Sequence, residues 1–229
     1  MSRAAAARQL LASRFPDALP QAQQSWSAVP TGVAELDRLF PAGGFPRGRL
    51  ATWTPGLGAA ALLRVAAVQA VRSGERSVWV DADRSVIGDG WPAGPLLLRP
   101  PDRAGALRAT AELARSGGFA LIVLDGATAE QTDLVRLSRA AHEGGTALVL
   151  LNRATALSAL RVHSRPVLSD YAWRPSRVGD AADLETVRVR VEARASGWLA
   201  HTVLSLPLWH DDLRLSLDPA LPDRRGAGR

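Results

Sequence analysis

Three groups of residues in this chain have types and spacings that could do chemistry. The first is a glycine loop, Thr54-Pro55-Gly56-Leu57-Gly58-Ala59-Ala60-Ala61, between an apolar run and an alanine-rich stretch. Glycines between a strand and a helix let backbone N–H groups approach an anion at the helix N-terminus. An anion held there also needs a cation, and no residue from Thr54 to Leu63 is ionisable. Arg64 comes one turn after Ala60 on the same helix face, its side chain leaning back toward the loop. The second group is the carboxylates Asp83 and Asp125, each closing an apolar run. The third is arginine-rich. Arg153, Arg161 and Arg165 lie around His163 with no carboxylate before Asp170, and Arg174 and Arg177 extend the run past Tyr171 and Trp173. Further on, Arg188, Arg190 and Arg194 alternate with Val187, Val189 and Val191, and Glu192 interrupts the row.

These residues need elements to position them. Alternating apolar runs and helical stretches predict strand 50–54, helix 59–72, strands 77–82 and 95–99, helix 103–116, strand 119–124, helix 128–143 and strand 146–151. Continuous apolar strands such as ALIVL and TALVLL are buried on both faces, which means a parallel sheet between helical layers. From Thr186 the period becomes two, and Ser196-Gly197 joins 186–194 to 198–206 as an antiparallel hairpin that is polar on one face. The fold class is therefore α/β, with mainly parallel strands between helices and antiparallel strands at the C-terminal side. The division expected is an arm over 1–28, one domain over 29–218 and a tail over 219–229.

Composition narrows the function classes. The chain has 229 residues, and 47% are hydrophobic, enough for one core-forming domain. Every one of its 28 basic residues is Arg, and 22 carboxylates leave a net charge of +6, which admits an anionic partner without requiring one. With no Cys there is no disulfide framework, thiolate nucleophile or zinc ribbon, and the four His have no ligand-like spacing, so no metal is expected. Nothing reads as a membrane span or a leader, so a soluble, cytoplasmic protein is expected.

Residues 31–61 run Thr31-Gly32-Val33, Leu36-Asp37, Gly43-Gly44-Phe45-Pro46, Gly48, strand, glycine loop, helix. This order resembles the RecA superfamily. The similarity extends through Gly74, Val80-Asp81-Ala82-Asp83 and Leu121 to Asp125, the Walker B-like strand, and ends at Leu150-Leu151-Asn152-Arg153. It implies a RecA-like core and a phosphate loop of the form G-x-x-x-x-G-K-[ST]. There, backbone N–H groups wrap the phosphates, Lys reaches the β and γ oxygens, and the hydroxyl residue holds Mg²⁺. In this chain Thr54 replaces the first Gly, Ala59 the second, Ala60 the Lys and Ala61 the hydroxyl residue. A helix dipole worth about half a charge does not replace that cation. No nucleotide cofactor and no catalysis are expected, and Asp83 and Asp125 are left to cap a loop or the next helix.

Within that superfamily a small chain with a degenerate phosphate loop is similar to the ImuA family of bacterial translesion-mutagenesis cassettes. That similarity implies an SOS-induced accessory protein working beside an ImuB-like polymerase-like protein, with RecA, the error-prone polymerase, single-stranded DNA and a second copy as further partners. By the same resemblance, residues 153–165 stand where RecA places its second DNA-contacting loop. Arg153, Arg161, His163, Arg165, Arg174 and Arg177 become the DNA-binding candidates. Leu10, Leu11, Phe15 and Trp26 become partner-binding candidates in the N-terminal arm.

Other readings compete. Gly56-Leu57-Gly58-Ala59-Ala60-Ala61 satisfies G-x-G-x-x-A, with Asp81 25 residues on, which is the dinucleotide-binding fingerprint. An atypical ATPase would use Arg64, Asp125 and Asp83. A cell-division inhibitor similar to SulA is a further alternative. Residues 157–163 could instead form a helix with its arginines in solvent. The arginine row of 188–194 could protect a sheet edge.

Overall fold

The computed structural model describes residues 27–86, 91–152, 155–175 and 182–207. The elements in order are β1 Ala28–Val29, α1 Ala34–Leu39, β2 Phe45–Pro46, β3 Arg49–Thr54, α2 Ala59–Arg72, β4 Ser77–Asp81, β5 Leu96–Leu98, α3 Arg103–Arg115, β6 Leu121–Asp125, α4 Gln131–Gly144, β7 Ala147–Leu151, β8 Leu160–Pro175, β9 Ala182–Ala195 and β10 Trp198–Pro207. Several of these boundaries have a local cause. Asp102 caps α3 by accepting from the Gly105 N–H at 2.6 Å. A reciprocal Glu130–Asp133 box opens α4, and Gly145 at φ 65° closes it. Gly197, at φ 69°, supplies the left-handed residue of the β9–β10 turn.

Among the described residues β1 and β2 form a ribbon, and the other strands form one eight-stranded sheet in the order β10-β9-β8-β3-β7-β6-β4-β5. From β8 through β3 to β5 neighbouring strands run parallel, and β8, β9 and β10 pair antiparallel. This is a mainly parallel α/β sheet flanked by helices with antiparallel strands at its C-terminal side, consistent with a RecA-like core. It does not have the order of a dinucleotide domain, in which the first two strands of the unit are neighbours. Here β7 and β6 stand between β3 and β4.

Side-chain alternation assigns the two faces. Ala51, Trp53, Trp79, Leu121, Val123 and Val149 pack with α1, α2 and the ribbon, while Leu50, Val78, Val80, Ile122, Leu124 and Leu148 pack with α3 and α4. Among the described residues the C-terminal strands are covered on the first face, where Leu160, Val162, Val187, Val189, Val191 and Leu204 join the core.

The segment that carried the family resemblance builds this first face. Asp37 accepts from the Thr31 N–H at 2.7 Å and from its hydroxyl at 2.8 Å, tying the turn before α1. Gly44 lets β1 cross closely, since a Cβ there would lie 2.3 Å from the Val29 carbonyl oxygen.

Three of the expectations are corrected here. Residues 160–163 are strand rather than helix, because Leu160 and Val162 alternate into the core beside β3. For the same reason the stretch 153–165 is not one loop: Leu160 to Arg165 belong to β8. The edge-protection reading of Arg188, Arg190 and Arg194 also falls, since β9 lies between β8 and β10 and has no free edge.

Candidate functional site

The loop after β3 is packed against the chain's own C-terminal strands. Thr54 ends β3 opposite His163 of β8, and Gly58, at φ 81°, precedes α2. A Cβ on Gly56 would lie 2.5 Å from the Ser164 carbonyl oxygen, and one on Gly58 would lie 2.5 Å from Leu206 Cδ1. The loop glycines therefore have a steric cause within the fold: β8 and β10 approach too closely for a side chain. Trp53 Nε1 donates to Ser164 Oγ at 3.2 Å and helps to hold β8 in that place. Ala59 and Ala61 are buried and Ala60 half-buried, with Ala59 in the core and Ala60 packed against it.

Arg64 does not serve the loop. Its guanidinium is buried, 5.8 Å from the ring centre of Trp79 and 5.9 Å from that of Trp91, and it feels the charges of Asp125 and Asp81. Burial lowers its pKa, and the two carboxylates oppose that shift. Stacking against indoles with acids nearby is an environment in which a guanidinium is retained inside a protein.

The acids at the ends of β4 and β6 form one cluster. Asp81 is fully buried and accepts from the Ser85 N–H at 2.8 Å, the Val86 N–H at 3.2 Å and Arg99 Nε at 3.4 Å. It thereby shapes the turn after β4, where Arg84 sits at φ 55°. The Ser85 hydroxyl donates to Asp125 at 2.9 Å. Burial pushes the Asp125 carboxyl above its usual range. The Ser85 hydrogen bond opposes the shift, Asp81 and Asp83 add to it, and Arg64 opposes it. Asp83 lies against Gly126, where a Cβ would come 2.4 Å from its carboxyl carbon. Asp125 thus ties a loop, whereas the cap of α4 is Glu130. Among the described residues no three His, Cys, Asp or Glu are arranged to hold a metal ion.

The dinucleotide fingerprint is also taken apart. Three inter-strand steps separate β3 from β4, about 14 Å at the usual spacing, so Asp81 is not beside the Gly56 loop. Its carboxylate is fully engaged by the chain itself.

The arginines come together elsewhere. Arg161 stands opposite Arg194, His163 opposite Glu192, and Arg165 opposite Arg190 across β8 and β9, while Glu192 faces His201 and Arg188 faces Ser205 on β10. Directly paired residues point to one side, which no helix among the described residues covers beyond β3. Arg161, His163, Arg165, Arg188, Arg194 and His201 are exposed, and Arg190 and Glu192 are half-buried. Arg194 Nε donates to Glu192 at 2.8 Å and holds that carboxyl below its usual range, helped by Arg165 and His163. Arg174 has its backbone in β8, and its side chain lies outside the described set, as do Arg153, Arg177, Leu10, Leu11, Phe15 and Trp26.

Sequence reasoning missed Ser85 and Arg99 as members of the acid cluster, and placed Asp81 only in the acidic end of a RecA-like strand or in a dinucleotide fingerprint. A signal was present, since Asp81 and Asp125 both end apolar strands, but strand adjacency cannot be read from spacing. The joining of the two arginine groups was equally hidden, because it depends on the register of β8 with β9. No family model and no curated protein matches the chain.

Proposed function

We propose that the chain is a non-catalytic, RecA-like accessory protein of SOS-induced error-prone translesion DNA synthesis. In this reading it is a scaffold that binds an ImuB-like polymerase-like protein and gathers RecA, the error-prone polymerase and single-stranded DNA. One observation carries the non-catalytic part: the loop that would grip a triphosphate is packed against β8 and β10 and has no cation. The guanidinium of Arg64, on the helix that follows the loop, is buried among Trp79, Trp91, Asp125 and Asp81. A nucleotide would have to displace Leu206, and the loop and first turn of α2 offer it only the helix dipole, about half an elementary charge. The partners follow from the resemblance to the ImuA family.

Two measurements test the parts separately. Hydrolysis of magnesium ATP by the full chain is expected to stay at background, also after Ala59→Gly, Ala60→Lys and Ala61→Thr are combined, because the C-terminal strands still occupy the loop. Hydrolysis by the natural sequence that disappears in Asp125→Ala would overturn the non-catalytic part. Co-purification with the ImuB-like protein is expected, and its failure with both proteins folded would overturn the scaffold part.

A further inference from the structure

We infer that the arginine-bearing face of β8, β9 and β10 binds the backbone of a single-stranded nucleic acid, with Arg161, Arg165, Arg188, Arg190 and Arg194 as phosphate contacts. The inference gives the nucleic-acid contact of the proposed function a place, and it rests on that reading for its biological setting only.

The first argument is energetic. Arg161 faces Arg194 and Arg165 faces Arg190 directly across neighbouring strands. Like charges in that relation have Cβ atoms about 5 Å apart and destabilise the sheet. Among the described residues no carboxylate forms an ion pair with Arg161, Arg165 or Arg190, and Glu192, between the two pairs, is bound by Arg194. Glu192 alone, among the described side chains, offsets part of this crowding, and edge protection does not explain it, because β8 and β9 both have neighbours on each side. A polyanion would turn the repulsion into attraction.

The second argument is geometric. Residues two apart on a strand project about 6.6 Å apart on one face, close to the step between phosphates along an extended nucleic-acid strand. Arg188 and Arg190 follow that step on β9, as do Arg161, His163 and Arg165 on β8. Each guanidinium can take a phosphate in a two-pronged fork. His163 and His201, both exposed, flank Glu192 in the row between the arginine pairs and offer rings on which bases can stack. Among the described side chains of this face the large apolar one that is exposed is Leu199, 60% exposed, opposite Arg194. That described part is dominated by arginine and histidine rather than by the desolvated apolar centre of a protein interface, which favours nucleic acid over an acidic protein.

The test is fluorescence anisotropy of the full chain with a labelled oligothymidylate, at several salt concentrations. The arms are the natural sequence, Arg165→Ala/Arg190→Ala, Arg161→Ala/Arg194→Ala, and Arg136→Ala/Arg139→Ala on α4 as a control for net charge. The expected result is binding that weakens with salt. Each face pair should lose at least about tenfold in affinity and flatten the log–log salt slope by about 1.4, or 0.7 per lost phosphate contact; the α4 control should stay near the natural sequence. Arg165→Ala/Arg190→Ala should melt no lower than the natural sequence, since it relieves a like-charge pair, whereas Arg161→Ala/Arg194→Ala also removes the Arg194–Glu192 ion pair. Binding unaffected by the face pairs would overturn the inference while leaving DNA contact elsewhere in the proposed function. No binding, tighter binding of duplex than of single strand, equal competition by polyglutamate, or a marked fall in the melting temperature of Arg165→Ala/Arg190→Ala would also overturn it. Co-purification with the ImuB-like protein is scored separately, so a failed scaffold reading is told apart from a failed nucleic-acid surface.

Discussion

A guanidinium as enclosed as that of Arg64 must be compensated where it sits, and the compensation comes from two indoles and the paired acids. Replacing it by Leu removes the cation and leaves Asp81 and Asp125 facing each other. Arg64→Leu is expected to cost about 3 kcal/mol, the scale for breaking a buried charge arrangement. Arg64→Lys, which keeps the charge and loses the flat stacking surface, should cost about 1 kcal/mol. Urea denaturation checks both, and equal stabilities would remove Arg64 from this role. Asp125 carries a pH signature. Its carboxyl is raised in the fold, mainly by burial, whereas in the unfolded chain it titrates near about 3.9. The folded protein therefore holds the proton when the unfolded chain has released it. This contribution is complete below the unfolded value and is lost as pH rises to and through the raised one. In Asp125→Asn that fall should vanish, so the stability difference between variant and natural sequence should move in favour of the variant from about pH 4 upward. A difference constant with pH would contradict the shift.

At the scale of elements, the decisive contact is between the β3–α2 loop and the C-terminal strands. Gly58→Ala places a methyl on Leu206 and forces a left-handed backbone, which alone costs about 1–2 kcal/mol. The expected loss is about 2–3 kcal/mol once the collision is added. In the double variant Gly58→Ala/Leu206→Ala the steric part should be recovered, so the two losses are less than additive. Strict additivity in thermal melts would show that Leu206 does not cover the loop. Most elements were legible in the sequence because their signals are local: apolar runs for buried strands, helical stretches between them, Ser196-Gly197 at the hairpin. The misreading of 157–163 has an equally physical cause. Leu157 and Leu160 at a spacing of three suit a helix, and the strand alternation of Leu160, Val162 and Ser164 is settled only by β3 beside them.

For the whole molecule, strand order separates the nucleotide alternatives. With β7 and β6 between β3 and β4, the glycine loop and Asp81 cannot share a dinucleotide. Neither NAD nor magnesium ATP is expected to raise the melting temperature. A ligand present at a hundred times its Kd would stabilise by about 2.7 kcal/mol, so a clear rise with either would reopen an enzymatic reading. Among the described residues no helix is long and apolar enough to cross a membrane. The amino-acid sequence by itself determined the α/β class, the positions of most strands and helices, the missing cation of the loop and the alternation of arginine with valine, because each depends on residue type and spacing along the chain. Only the tertiary structure decided that Leu206 and Ser164 close over Gly56 and Gly58, that Arg64 turns toward the acids, and that the arginines of β8 and β9 face one another. Those outcomes depend on which strands become neighbours and in what register, and many strand orders are compatible with the same local pattern.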